Sequence, residues 1–327
     1  MQRSLAVLVV AVLLLGAAVA AAGAAGDSST ARDALGAGSP GGRQRFGVGE
    51  IVVTYTDHRR WVTFPGHRPV PRQLVTVIRY PAAIPSSHVD VLAAQSARTA
   101  GPFPLVLFAE GYNITPAPYA RLLQTWAQAG YVVAAPIFPL SNAAAPGGPD
   151  ESDLVNQPTD MSFVITQMLR GDARRRGILS HLLNRHAIAV TGQSDGGSTA
   201  LAAAYNEHYV DHRIDAAIIL SGAIIPGIGG YTFPPPSPPL LAVQGTGDTV
   251  NAPASTYHYF ALAPGPKFLL SLSGAPHLGP YTDQQPQLGI VERTTTAFLD
   301  RYVKHETGAL LRMQRAGNVP HLASLSG

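Results

Sequence analysis

The sequence predicts an α/β protein built on a mostly parallel central sheet with helices on both faces. Three observations predict it. Short, continuously apolar runs of strand length recur along the chain, as in strands buried on both sides; residues 104–108, PLVLF, are the clearest. Segments with apolar residues at helical spacing lie between these runs, and strand–helix alternation implies parallel pairing. Finally, 327 residues suit one large domain better than two small ones.

The chain opens with a stretch that does not belong to this domain. Arg3 supplies a positive start, residues 5–15 an apolar core, and Ala18-Val19-Ala20 a small-residue cleavage pattern. This predicts a signal peptide over residues 1–26 and an exported protein, secreted or in the cell envelope, with no stable membrane insertion after cleavage. The competing reading is an uncleaved anchor, against which the alanines and glycines beyond Leu15 make a weak span. Residues 27–45, rich in Gly, Ser and Ala, read as a flexible spacer. The domain is then expected over residues 46–305, with 306–327 as a tail. There is no cysteine, which excludes both disulfides and lipid attachment through an N-terminal cysteine. The net charge of +3 is scattered over arginines, with one short run at Arg174-Arg175-Arg176, and leaves no nucleic-acid footprint.

Residues 50–56 and 73–80 alternate as strands, joined by a loop containing Pro65-Gly66. The apolar strand at 104–108 follows. A helix over 118–129 carries Leu122, Leu123 and Trp126 on one face, and Gly130 stops it. Residues 131–135 are the next strand. Residues 139–157, rich in proline, small residues and acids, read as a solvated loop. Pro158 suits the first turn of a helix bearing Met161, Ile165, Met168 and Leu169. A strand opening at Ala187 runs into a glycine-rich turn, and an alanine-rich helix continues to about His208. Further strands are read at 214–220, 240–244 and 267–272. An amphipathic helix over 287–303 presents Val291, Phe298 and Tyr302, and the tail holds one more short helical pattern.

The glycine-rich turn organises the chemistry. Gly192-Gln193-Ser194-Asp195-Gly196 sits between a strand and a helix, the arrangement of a nucleophile elbow. A serine there occupies a strained backbone position, and neighbouring chain passes too close for a Cβ at either glycine. Its hydroxyl needs a histidine to accept its proton, and the histidine needs a carboxylate to fix its tautomer. Asp248 lies just past the strand at 240–244 and His277 just past the next, in the chain order serine, acid, histidine. His258 is too close to Asp248 to reach the next strand end, and His181, His186, His208 and His212 precede the acid. Asp215 begins a strand, at the wrong end of the sheet. An oxyanion would be held by two backbone N–H groups, from Asp195 and from Tyr112 in the loop after the third strand. The Asp195 carboxylate is expected to be favoured by the helix N-terminus.

With Gly192 to Gly197, Gly111-Tyr112, Asp248 and His277, the chain resembles an α/β-hydrolase. It is similar to the group of platelet-activating-factor acetylhydrolases, chlorophyllase-like esterases and cutinase-like polyesterases. The opening residues Tyr55-Thr-Asp57, Arg59-Arg60 and 75–81 add to the likeness, which covers roughly residues 47–305. Glu110 departs from it, since relatives usually carry His or Pro before the glycine. The resemblance implies a secreted serine esterase or lipase acting on a lipid, small ester or polyester. Acyl transfer or peptide cleavage would use the same triad, and a non-catalytic binding protein is the rival of a different class. Residues 221–239 are too short and proline-rich for a helical cap. An open cleft lined by some of Tyr112, Ile224, Ile225, Ile228 and Phe233 is therefore expected, with loop packing as the alternative role for these side chains. No metal-ligand spacing and no phosphate loop occur, so no metal or cofactor is expected.

Overall fold

Two long strands, β1 (Gly47–Val62) and β2 (Val70–Ala82), open the fold as an antiparallel pair with a register shift between Asp57 and Trp61. The structure, a computed structural model, describes residues 45–327, so the expected signal peptide and nearly all of the expected spacer lie outside the described residues. Beyond the hairpin come β3 (Val91–Leu92), β4 (Phe103–Ala109), α1 (Ala120–Gln128) and β5 (Val132–Ile137). Next are α2 (Gln157–Asp172), β6 (Leu183–Gln193), α3 (Asp195–Tyr205), β7 (Ala216–Leu220) and β8 (Leu240–Gly245). The chain closes with α4 (Pro253–Leu262), β9 (Lys267–Leu272), α5 (Gly279–Thr282), α6 (Gln287–Tyr302), α7 (Ala309–Gly317) and β10 (Ala323–Ser326).

These strands form one sheet in the order β10-β9-β8-β7-β6-β4-β5-β2-β1-β3. Neighbours from β5 through β9 are parallel, while β2 meets β5 and β10 meets β9 antiparallel. The expected mostly parallel sheet is thus present, and its period-two side chains divide the core. Leu105 and Leu107 of β4, Ile188 and Val190 of β6, and Ile219 of β7 face one layer, with α2 and α3. Val106, Phe108, Ala189, Ile218 and Leu220 face the other, with α1 and α6. On that second face Trp126 is fully buried, and its indole N–H donates to Thr295 of α6 at 3.0 Å. Gly130, at φ +88°, gives the chain the left-handed residue that ends α1.

Three expectations need correction. The loop at 139–157 is not simply solvated, because it contains a 3-10 helix, Glu151–Asn156, in which Asp153 and Leu154 are buried. Arg72 of β2 makes that burial possible. Its guanidinium donates to Asp153 at 2.9 and 2.6 Å and to Asp160 of α2 at 2.6 and 2.8 Å, and Arg60 reaches Asp160 at 2.8 Å. Burial raises the Asp160 carboxyl above its ordinary range, and the Arg72 charge opposes that shift. Residues 306–327 are not a loose tail either: Met313 of α7 is fully buried, and β10 adds a strand beside β9. The helix after the elbow ends at Tyr205, short of His208, and Asn206 is already extended.

Candidate active site

At the C-terminal end of β6 the backbone turns sharply at Ser194, with φ 58° and ψ −123°, and α3 begins at the next residue. The flanking glycines are sterically required. A Cβ on Gly192 would stand 2.1 Å from the Gly196 carbonyl oxygen, and one on Gly196 would stand 2.0 Å from that of Ala109. The strained turn is held by the Ser194 N–H donating to Leu220 at 2.9 Å and by Ser198 donating back to the Ser194 carbonyl at 2.9 Å.

Asp248 and His277 converge on this turn from the ends of β8 and β9. His277 Nε2 lies 2.8 Å from Ser194 Oγ, and its Nδ1 lies 2.8 Å from Asp248 Oδ2. The carboxylate is fixed from every side. Its Oδ1 accepts from the N–H groups of Val250 and Asn251 at 2.9 and 3.0 Å, and its Oδ2 also accepts from Gln244 Nε2 at 3.2 Å. The two loops interlock, since a Cβ on Gly245 would stand 2.3 Å from the Ala275 carbonyl oxygen. An imidazole held between a carboxylate and a hydroxyl can remove the hydroxyl proton and keep the resulting cation paired.

The loop after β4 passes close by, and a Cβ on Gly111 would stand 3.2 Å from Ser194 Cβ. Among the described residues, neither the Tyr112 N–H nor the Asp195 N–H has an acceptor. The Tyr112 ring is half-exposed, and its hydroxyl donates to the Pro149 carbonyl at 3.0 Å. The Asp195 carboxyl behaves differently from expectation. Burial, and then the charge of Glu151, outweigh the helix dipole and push its pKa up to about 6. Glu110 is buried just behind the loop, where its Oε1 accepts from the Phe138 N–H at 3.0 Å. Desolvation holds its carboxyl well above the ordinary range, and the Phe138 N–H opposes that shift.

Of the expected cleft-lining side chains, Ile225 and Ile228 share one packing cluster. Ile225 is buried against Leu154 and Ala202, and Phe233 packs on Tyr205 with ring centroids 5.1 Å apart. Tyr205 ends α3, at the opposite end of that helix from Ser194. Ile224 and Ile228 are partly buried against the same packing clusters. Residues 221–239 contain neither helix nor strand. Sequence reasoning missed Gln193, Tyr119 and Gln244, three buried polar residues bonded to the site. The signal for Gln193 and Gln244 was an uncharged polar residue at the end of an otherwise apolar strand. Among the described residues no group of three or more His, Asp or Glu is placed to hold a metal ion, and no helix is long and apolar enough to cross a membrane.

The profile of the chlorophyllase family matches residues 71–243, just over half of the chain. The chain belongs to the chlorophyllase family. The chlorophyllase match spans β2 to the end of β8, so it contains the Gly111 loop and the elbow and stops short of Asp248 and His277. Among solved structures, a ferulic acid esterase from Streptomyces cinnamoneus superposes with a TM-score of 0.59 at 20% identity, covering 82% of this chain and 93% of that one. That likeness shows a shared α/β-hydrolase fold. No curated protein matches the chain. Family and fold together support an ester hydrolase.

Proposed function

We propose that the protein hydrolyses carboxylic esters through an acyl-enzyme on Ser194. The observation that carries the reading is a single imidazole, His277, within 2.8 Å of both Ser194 Oγ and Asp248 Oδ2. As Oγ attacks the ester carbonyl carbon, His277 Nε2 takes its proton, and Asp248 holds the Nδ1–H and stabilises the imidazolium. The carbonyl oxygen becomes an oxyanion that accepts from the Tyr112 and Asp195 N–H groups. The Nε2 proton then passes to the leaving alcohol oxygen as its bond to carbon breaks. Water, deprotonated by the same nitrogen, attacks the acyl group and releases the acid and Ser194.

The site is read as open. The segment 221–239 forms no cap, and the 151–156 turn is fastened to β2 through Arg72 and Asp153. An open site suits esters on bulky, lipid or polymeric groups. The test is Ser194→Ala compared with wild type, by fluorophosphonate labelling and by turnover of p-nitrophenyl esters of rising acyl length, tributyrin and a polyester film. Labelling is expected to vanish and turnover to fall by several orders of magnitude with the fold intact. Near-normal turnover by the variant would remove the serine from the mechanism, and labelling without ester turnover would favour another acyl acceptor or a peptide substrate.

Export is part of the proposal. Residues 1–26 are read as a cleaved signal peptide, 27–45 as a spacer, and the mature protein as secreted or in the cell envelope. N-terminal sequencing of exported protein is expected to begin in the low twenties or soon after; Met1 retained in a membrane fraction would favour an anchor.

A further inference from the structure

Gln193 is the last residue of β6, directly before Ser194. It is buried, and both ends of its amide are engaged. Its Oε1 accepts from the Tyr119 hydroxyl at 2.7 Å, and its Nε2 donates to the main-chain carbonyl of His277 at 3.0 Å. The backbone N–H of Gly111 is directed at the Tyr119 oxygen, and burial keeps that hydroxyl protonated as a donor. Gly111 also fits so closely that a Cβ on it would stand 3.0 Å from Gln193 Oε1. One amide therefore ties together the nucleophile turn, the loop that carries Gly111-Tyr112, and the loop that carries the imidazole.

We infer that Gln193, with Tyr119 as its second half, is a positioning residue. It sets the spacing between serine, base and oxyanion loop. This rests on the esterase reading above. The physical case is that a buried amide has one low-energy arrangement when both ends are satisfied, and loses it when either end is orphaned. Packing alone would be served as well by an apolar side chain of similar volume. Instead, one polar end goes to the loop that carries the imidazole and the other to Tyr119, 84 and 74 residues away along the chain. A base or donor displaced by about 1 Å costs about a hundredfold in rate, so a strut at this position acts on turnover more than on binding.

Three variants test it. Gln193→Glu keeps the shape and the acceptor towards Tyr119 but sets an oxygen against the His277 carbonyl, unless the new carboxyl carries a proton. Its kcat should fall about a hundredfold at pH 9 and recover to within about tenfold of wild type at pH 6, with KM changed less than about twofold. Gln193→Leu should lose about a hundredfold at every pH, because no proton restores its donor. Tyr119→Phe removes one oxygen and should lower kcat about tenfold. The inference is overturned if Gln193→Leu and Tyr119→Phe keep wild-type kcat. It is equally overturned if the Gln193→Glu deficit is flat with pH and follows a fall in melting temperature. Should Gln193→Glu fail to fold, Tyr119→Phe decides alone, and a normal kcat refutes the strut. Fluorophosphonate labelling separates the two readings. Labelled wild type with indifferent variants sinks the strut only, whereas unlabelled wild type with an active Ser194→Ala sinks the esterase and the strut together.

Discussion

Replacing Arg72 with Met should destabilise the protein strongly while sparing its chemistry. The guanidinium is buried, with side-chain exposure of 3%, and it faces two carboxylates exposed 1% and 0%. Methionine fills much of the volume but leaves those carboxylates behind. Asp160 keeps Arg60 at 2.8 Å, so the main orphan is Asp153, which retains only the Asn156 amide at 2.8 Å. Breaking a buried pair on one side costs about 3–5 kcal/mol, and the surviving Arg60 contact puts this case near about 3 kcal/mol. For a domain of this size that corresponds to a fall of about 5 °C in melting temperature. The deficit should depend on pH in a defined direction. Burial already raises the Asp160 carboxyl in the folded state above its unfolded value, and without the Arg72 cation only Arg60 opposes that shift. The folded variant therefore holds a proton that the unfolded chain releases, a gain that is lost as pH rises through the folded value. The gap to wild type should be wide at pH 7 and narrower at pH 5. Thermal unfolding of both proteins at the two pH values measures it, with p-nitrophenyl ester kcat at 25 °C as the control. A melting temperature within 2 °C of wild type at pH 7, or a gap that widens on acidification, would refute the reasoning.

Two further outcomes follow from the site. Asp248→Asn should lower kcat by about 10⁴, because an amide in that place selects the wrong imidazole tautomer; a loss below about tenfold in an ester assay would mean that another group orients His277. Asp195→Asn should raise ester turnover a few-fold at pH 8 and leave it unchanged at pH 5. With its pKa near 6, the native carboxyl is neutral at the lower pH and sets a negative charge beside the oxyanion at the higher; superimposable pH profiles would count against that charge.

Much of the fold is legible in the sequence, because its central strands are buried on both faces. The run Leu105 to Phe108 must be apolar throughout when alternate residues enter two different cores, and no exposed segment needs that. The elbow is legible for a steric reason: backbone passes within about 2 Å of where a Cβ would stand on Gly192 and Gly196, and so leaves a local mark in the chain. Arg72 leaves no such mark. Its partners lie 81 and 88 residues away, and an acidic loop awaiting a distant arginine reads the same as an acidic loop in water. Gln193 was hidden likewise, its meaning depending on a tyrosine and a carbonyl that only the folded chain brings near. Phe233 reads two ways in the sequence, because an aromatic residue in a proline-rich loop after the nucleophile helix suits a cleft wall as well as a plug against Tyr205. The short outer strands β3 and β10 escaped because two and four residues are too few to show a period.

Those two short strands bear on how the protein behaves in a crowd. A sheet ten strands wide has two margins where unpaired backbone N–H and C=O groups invite another chain to add itself. Here one margin ends in Ala323–Ser326, a template only a few bonds long, while at the other Val91–Leu92 covers only Gly49 and Glu50 of β1. The last residues are therefore a hem more than a tail. Removing 323–327 would uncover residues 269–272 of β9, including Leu270 and Leu272, as a ready-made border for self-association. At this margin, the protection against sticking to its own copies lies in that final strand of the chain.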